Sequence, residues 1–213
     1  MSTKPTITED GLEFDSSEEL HFYWWLRELQ QARIIDTIER APTFTLADSA
    51  SCIVQDSLFG KMKTREIMKG QAYTPDFYTT LHLNDHLNDH LNTLTKLGVF
   101  YISPDTHVAS THGNKPLFGH NGGELLWEVK GIAGNQAAAK AVSGQMRATQ
   151  ICRKWLWAVR RKWVNLVQIG PSEKCWFAQT FTPKRYLFTD KTRQPRTIKF
   201  PVRTLTEWLA SAK

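Results

Sequence analysis

Leu125-Leu126-Trp127-Glu128-Val129-Lys130-Gly131 follows a stretch rich in proline, glycine and histidine and precedes a long helical pattern. A short apolar run bounded by loop residues reads as a buried strand. Side chains two apart on a strand share a face, so Glu128 and Lys130 project together while Val129 faces the core. The Val129 carbonyl is then open to ligate a metal.

Downstream, a helix is expected from Gly134 or Asn135 to about Lys162. Its apolar stripe is Val142, Met146, Thr149, Cys152, Leu156, Val159 and Trp163, and Arg147, Lys154 and Arg161 recur on another face. Residues 164–169 read as a strand ended by Gly170-Pro171. Residues 175–181 and 185–189 read as strands flanking Thr182-Pro183-Lys184, and 204–212 as a short closing helix. Upstream, Tyr73, Phe77 and Tyr78 mark a strand over 72–81, and 43–47 reads as a shorter one. Ser16 and Glu19 have the spacing of a capping box, which opens a helix reaching about Arg33. Residues 1–12 read as a loose tail, and 48–70 declare no element. The order helix, strand, strand, strand, helix, strand indicates a single α/β domain, with a mixed central sheet flanked by helices.

The chain has 213 residues, 41% of them hydrophobic, enough to bury a sizeable core. No apolar run has membrane-spanning length, and Met1–Asp10 lacks the apolar segment of a signal peptide, so a soluble protein without membrane contact is expected. Cys52, Cys152 and Cys175 include no CxxC pair and fit a reduced cytoplasm. Charge is divided unevenly. Residues 1–129 hold 10 Lys+Arg against 18 Asp+Glu, net −8; residues 130–213 hold 17 against 3, net +14. A segment that basic attracts polyanions, of which DNA is the usual one.

Leu83-Asn84-Asp85-His86 repeats as Leu87-Asn88-Asp89-His90. A period of four puts Leu83, Leu87 and Leu91 on one helix face and His82, His86 and His90 on another. The repeat reads as a surface helix docked through its leucines; a zinc site made by the histidines is the alternative. Trp155, Trp157, Trp163 and Trp176 read as core, with at most one touching a base.

Phosphodiester hydrolysis requires a neutralised phosphate, an activated water and a stabilised leaving oxygen. Mg²⁺ supplies all three when carboxylates hold it and leave positions open, and a nearby lysine orients the water. Asp76, in Tyr73-Thr74-Pro75-Asp76-Phe77, and Glu128 with Lys130 provide that chemistry. Spacing alone is weak: with 21 acids and 15 lysines, chance gives about 1.5 acid-x-Lys matches, and the chain has one. Its place in an apolar strand ahead of a helix is the stronger signal.

Phe14-Asp15-Ser16-Ser17-Glu18-Glu19, Tyr73-Thr74-Pro75-Asp76-Phe77 and Glu128-Val129-Lys130-Gly131 together resemble the PD-(D/E)xK nuclease superfamily. The resemblance is to the small phage-type endonucleases in particular, which include the phage Holliday-junction resolving enzymes. The same core occurs in restriction endonucleases and in the cutting subunit of some heteromeric transposases. It implies a restriction-endonuclease-like core over residues 11–170, with an inserted helix in an insertion at about 82–123. Residues 171–213 have no counterpart and form a basic extension.

The resemblance implies Mg²⁺, replaceable by Mn²⁺, held by Asp76, Glu128 and the Val129 carbonyl, with Glu19 completing the shell and Lys130 orienting the attacking water. Asp105, nearer to Glu128 in sequence, is the alternative to Asp76, and Glu19 has the alternative role of a capping acid only. Arg147, Lys154 and Arg161, with Lys184 and Arg185, are the expected phosphate contacts on DNA. Cutting two strands with one metal site per chain calls for two chains, hence a homodimer. The expected location is the cytoplasm of a bacterium or a phage-infected cell. A catalytically silent DNA-binding module, the cutting subunit of a transposition or restriction system, and a metal-binding structural protein using the histidines are the alternatives.

Overall fold

A computed structural model describes residues 7–55, 62–82, 99–101, 117–119, 123–132 and 136–211. Along the chain lie β1 (Ile7–Glu9), β2 (Leu12–Phe14), α1 (Ser17–Gln31), β3 (Ile35–Arg40), β4 (Phe44–Ala47), β5 (Ala50–Gln55), β6 (Met62–Met68), β7 (Gln71–Tyr73) and β8 (Phe77–Leu81). Then come β9 (Val99–Tyr101), β10 (Leu117–Gly119), β11 (Glu124–Gly131), α2 (Gln136–Arg160), β12 (Val164–Ile169), α3 (Trp176–Gln179), a 3-10 turn (Lys184–Leu187) and α4 (Leu205–Ser211).

The central sheet has the order β12-β11-β8-β3. β3, β8 and β11 form an antiparallel meander, and β12 lies parallel to β11. Parallel neighbours need a crossover, which α2 supplies. The fold is therefore a mixed α/β sheet with α1 ahead of the meander and α2 between its last two strands. No helix among the described residues is long and apolar enough to cross a membrane.

β11 shows the period-2 alternation of a strand covered on both faces. Leu125, Trp127 and Val129 join Phe14, Phe77, Val167 and Ile169 in the core under α1. Leu126 joins Leu46, Tyr73, Leu156 and Val164 in a second cluster, which Trp155 and Cys152 of α2 pack against. α1 is buried without a break from Glu19 to Leu26. Its outer side is covered by residues 175–208: Trp25 meets Trp127, Trp176, Phe181 and Trp208 at ring distances of 5.3 to 6.4 Å. Each such side chain stabilises the fold by roughly 1.5–3 kcal/mol through burial. Residues 175–208 thus contribute side chains to the main core.

Several expectations are corrected. Residues 72–81 are two strands, β7 and β8, interrupted at Thr74-Pro75-Asp76, because β7 leaves the central sheet to pair with β4. Within 48–70, β5 and β6 pair antiparallel. Residues 7–14 are a hairpin rather than a tail: Asp10 (φ 54°) and Gly11 (φ 79°) form a two-residue loop with both φ positive, the type I′ geometry that Asp-Gly favours. β3 has no forecast counterpart. Residues 175–181 and 185–189 are not strands but α3 and the 3-10 turn; their aromatics pack on α1 instead of extending a sheet. α1 ends at Gln31 and α2 at Arg160, each followed within two residues by an arginine with positive φ, Arg33 and Arg161. Within the α2 stripe, Val159 is exposed.

Candidate active site

Asp76 and Glu128, 52 residues apart in sequence, are brought together where β8 and β11 part. Their pairing runs to Phe77↔Trp127. Beyond it, the Asp76 N–H donates to the Trp127 carbonyl (2.8 Å), and the Val129 N–H donates to Asp76 Oδ2 (2.6 Å). Pro75 has no N–H to continue the ladder, so the break in the strand turns the Asp76 side chain into the gap. On a strand, N–H and C=O of one residue face the same edge, so the Val129 carbonyl faces Asp76 as well.

Glu128 and Lys130 share a face, as their spacing requires, with Lys130 Nζ 2.5 Å from Glu128 Oε1. Both Glu128 oxygens are engaged. The Tyr73 hydroxyl donates to Oε2 (2.8 Å) and the Thr149 hydroxyl of α2 to Oε1 (3.4 Å). Glu19 enters from the first turn of α1. Ser16 caps that helix through its Oγ, which accepts from the Glu19 N–H, and its hydroxyl donates to Glu19 Oε1. The Asp15 N–H and Arg40 Nη1 donate to Glu19 Oε2, the arginine at 3.0 Å.

Three carboxylates and two cations therefore converge. Burial, then the charges of Glu128 and Glu19, push the Asp76 carboxyl from its ordinary 3.8 up to about 7, against the Val129 N–H bond and Lys130. Burial works against the Lys130 charge, but the Glu128 hydrogen bond and charge, with Asp76 and Glu19 beyond, outweigh it and raise its pKa. Burial first and Glu128 second also raise the pKa of Tyr73, which stays a phenol donor.

A cleft of about 460 Å³ opens beside this cluster, walled by the first turn of α1, the end of β11 and Gln145, Ala148 and Thr149 of α2. Glu19 and Lys130 line it; Asp76 and Glu128 are not part of its wall and reach it through Val129 and Lys130. Gly131 keeps it narrow: a Cβ there would sit 3.0 Å from Glu18 Oε1.

Among the described residues no three His, Cys, Asp or Glu form a ready-made metal cage, and Lys130 and Arg40 hold Glu128 and Glu19. The donors are nonetheless hard oxygens, carboxylates plus a strand carbonyl, the set that suits Mg²⁺ or Mn²⁺. A dication would relieve the charge crowding that raises Asp76. The fit to such an ion is one of donor chemistry.

Other forecast residues lie elsewhere. Arg147, Lys154 and Arg161 are exposed, with Arg161 over the Trp157 ring. Lys184 is exposed, whereas Arg185 pairs with Glu9 and covers the Trp24 ring, so it serves the fold. Trp176 is core, as expected. His82 pairs with Asp36; His86, His90 and Asp105 lie outside the described residues. Arg40, Tyr73 and Thr149 were not foreseen as site residues. Tyr73 carried a signal, since it opens the same short motif as Asp76; Arg40 carried none. Compared with protein-family models, with curated proteins and with solved structures, the chain matches none.

Proposed function

We propose that this protein is a Mg²⁺-dependent endodeoxyribonuclease of the PD-(D/E)xK type, with a restriction-endonuclease-like core and DNA as its partner. The observation that carries the reading is the 2.6 Å bond from the Val129 N–H to Asp76, which joins two distant motifs into one carboxylate cluster beside Lys130. The sheet order, with α1 before a three-strand meander and α2 before a parallel strand, supports the same core.

Asp76, Glu128, the Val129 carbonyl and Glu19 would hold Mg²⁺ or Mn²⁺. The ion supplies phosphate neutralisation, water activation and stabilisation of the leaving oxygen. Lys130, with its ammonium on Glu128 and facing the cleft, orients the attacking water. Tyr73 and Thr149 fix the Glu128 carboxylate, so its geometry is set before DNA arrives. Arg147, Lys154 and Arg161 lie exposed on or just beyond α2 and take the phosphate backbone. A homodimer would present two such clefts for two strands. The site of action is the cytoplasm of a bacterium or a phage-infected cell, where junctions and other branches from replication or recombination are the substrates.

Purified protein incubated with junction, flap, nicked and linear DNAs in Mg²⁺ or Mn²⁺ tests this. Glu128→Gln should lower cleavage at least ~10³-fold, since losing an ion costs several kcal/mol of transition-state stabilisation, and should leave DNA binding intact. Binding without cleavage of any DNA by the wild-type protein would establish the silent DNA-binding module instead. Near-normal cleavage by Asp76→Asn would move the ligand role to Asp105.

A further inference from the structure

Arg40 ends β3 at the margin of the carboxylate cluster. Its Nη1 donates to Glu19 Oε2 (3.0 Å) and to the Asp76 carbonyl (3.2 Å). Its guanidinium carbon lies 5.4 Å from the centre of the Phe77 ring and 5.9 Å from that of Phe14, both fully buried. The rings fix the guanidinium in place. Among the described residues its bonds use Nη1 alone, while the group has five N–H donors in a planar fork. The Arg40 side chain is 36% exposed and its partner Glu19 only 8%, so the arginine reaches from solvent to the cluster.

A counter-ion for Glu19 alone needs no fork. A bidentate donor beside two aromatic rings, bonded to the Glu19 carboxylate and to the Asp76 carbonyl, suits a tetrahedral oxyanion. The charges also point this way. Arg40 pairs with Glu19 at 3.0 Å, so an ion binding that acid would compete with the arginine for it.

We propose that Arg40 is a phosphate-binding residue beside the carboxylate cluster, held on Glu19 until a divalent ion takes that carboxylate, and then available to the DNA backbone. This rests on the nuclease reading, and names the group by which the same site grips its substrate.

The test compares the wild-type protein with Arg40→Gln and Arg40→Lys. Mn²⁺ binding to the DNA-free protein, measured by calorimetry, should be severalfold tighter in Arg40→Gln, because the competitor for Glu19 is gone. Arg40→Lys keeps the counter-charge and should bind Mn²⁺ as the wild type does. Both should cleave more slowly at saturating Mn²⁺, by roughly tenfold to a hundredfold, since neither offers a fork. In a Lys130→Met background, which keeps the three carboxylates but should not cleave, DNA binding in Mn²⁺ is followed against salt. Arg40→Gln should flatten the log–log slope by about 0.9, the value of one phosphate.

Arg40→Lys cleaving at the wild-type rate, or Arg40→Gln leaving both Mn²⁺ affinity and salt slope unchanged, would reduce Arg40 to a structural counter-ion. Should Arg40→Gln not fold, Arg40→Lys decides alone. A wild-type protein that neither binds Mn²⁺ nor cleaves sinks the nuclease reading itself, a result distinct from failure at Arg40.

Discussion

α1 and α2 lean on the same sheet and both line the cleft, but they are built on opposite plans. Nine of the 15 residues of α1 are buried, aromatic over most of their length. Of the α2 side chains described, from 143 to 160, only Thr149 and Leu156 are buried, and its outer side is basic. α1 is an axle enclosed by sheet and C-terminal segment; α2 is a surface. A helix enclosed on all sides can hold an acid still, because its position is fixed from every direction. A helix covered on one side offers charge to a partner without disturbing the core. The site takes a buried carboxylate from the first and a hydroxyl from the second.

The largest difference should appear in stability. Trp25→Ala removes a ring packed against five aromatics and should cost about 3–5 kcal/mol. Trp157→Ala, on α2 and half-buried against Trp163, should cost far less. Chemical denaturation measures both, and equal losses would end the contrast between axle and surface.

Next comes binding. Replacing Arg147, Lys154 and Arg161 together with Ala should leave the melting temperature nearly unchanged, yet flatten the salt slope of DNA binding by about 2–3 units. An unchanged slope would transfer the surface to Lys184 and its exposed neighbours.

A finer test separates what each helix gives the site. Asp76 has a raised pKa, so its neutral form favours the folded state. That contribution is complete below the ordinary value of 3.8 and is lost as pH rises through about 7. Mn²⁺ must displace the proton, so affinity should climb up to about tenfold per pH unit below that midpoint and level off above it. Glu19→Gln removes one of the charges that raise Asp76 and should move the midpoint down; Thr149→Val should leave it in place. Equal shifts in both variants would show that α2 also acts through charge.

How much of this was legible depended on range. Glu128, Val129 and Lys130 are tied by strand periodicity within three residues, and Ser16 with Glu19 by capping geometry within four; both are local and both could be read. Arg40 meets Glu19 across 21 residues through a strand whose sequence, Ile-Asp-Thr-Ile-Glu-Arg, alternates too weakly to announce itself. Tyr73 meets Glu128 only because Pro75 breaks the strand between β7 and β8, which period-2 reading runs together. Cys175-Trp176-Phe177-Ala178 is apolar enough for a strand; what settles it as a helical turn is α1, 150 residues earlier. The Asp10-Gly11 turn is likewise a local signal, carried by two adjacent residues.

The closure of the C-terminal segment over α1 has a consequence for the growing chain. Trp25 touches Trp208, 183 residues later, so the aromatic girdle of α1 stays open to water until nearly all of the described chain has left the ribosome. Contacts of such sequence separation form late and slowly. Through that interval the nascent polypeptide carries its stickiest surface uncovered, a natural target for chaperones. Chains halted before Cys175 should expose Trp25 to fluorescence quenchers, while the 213-residue chain should shield it.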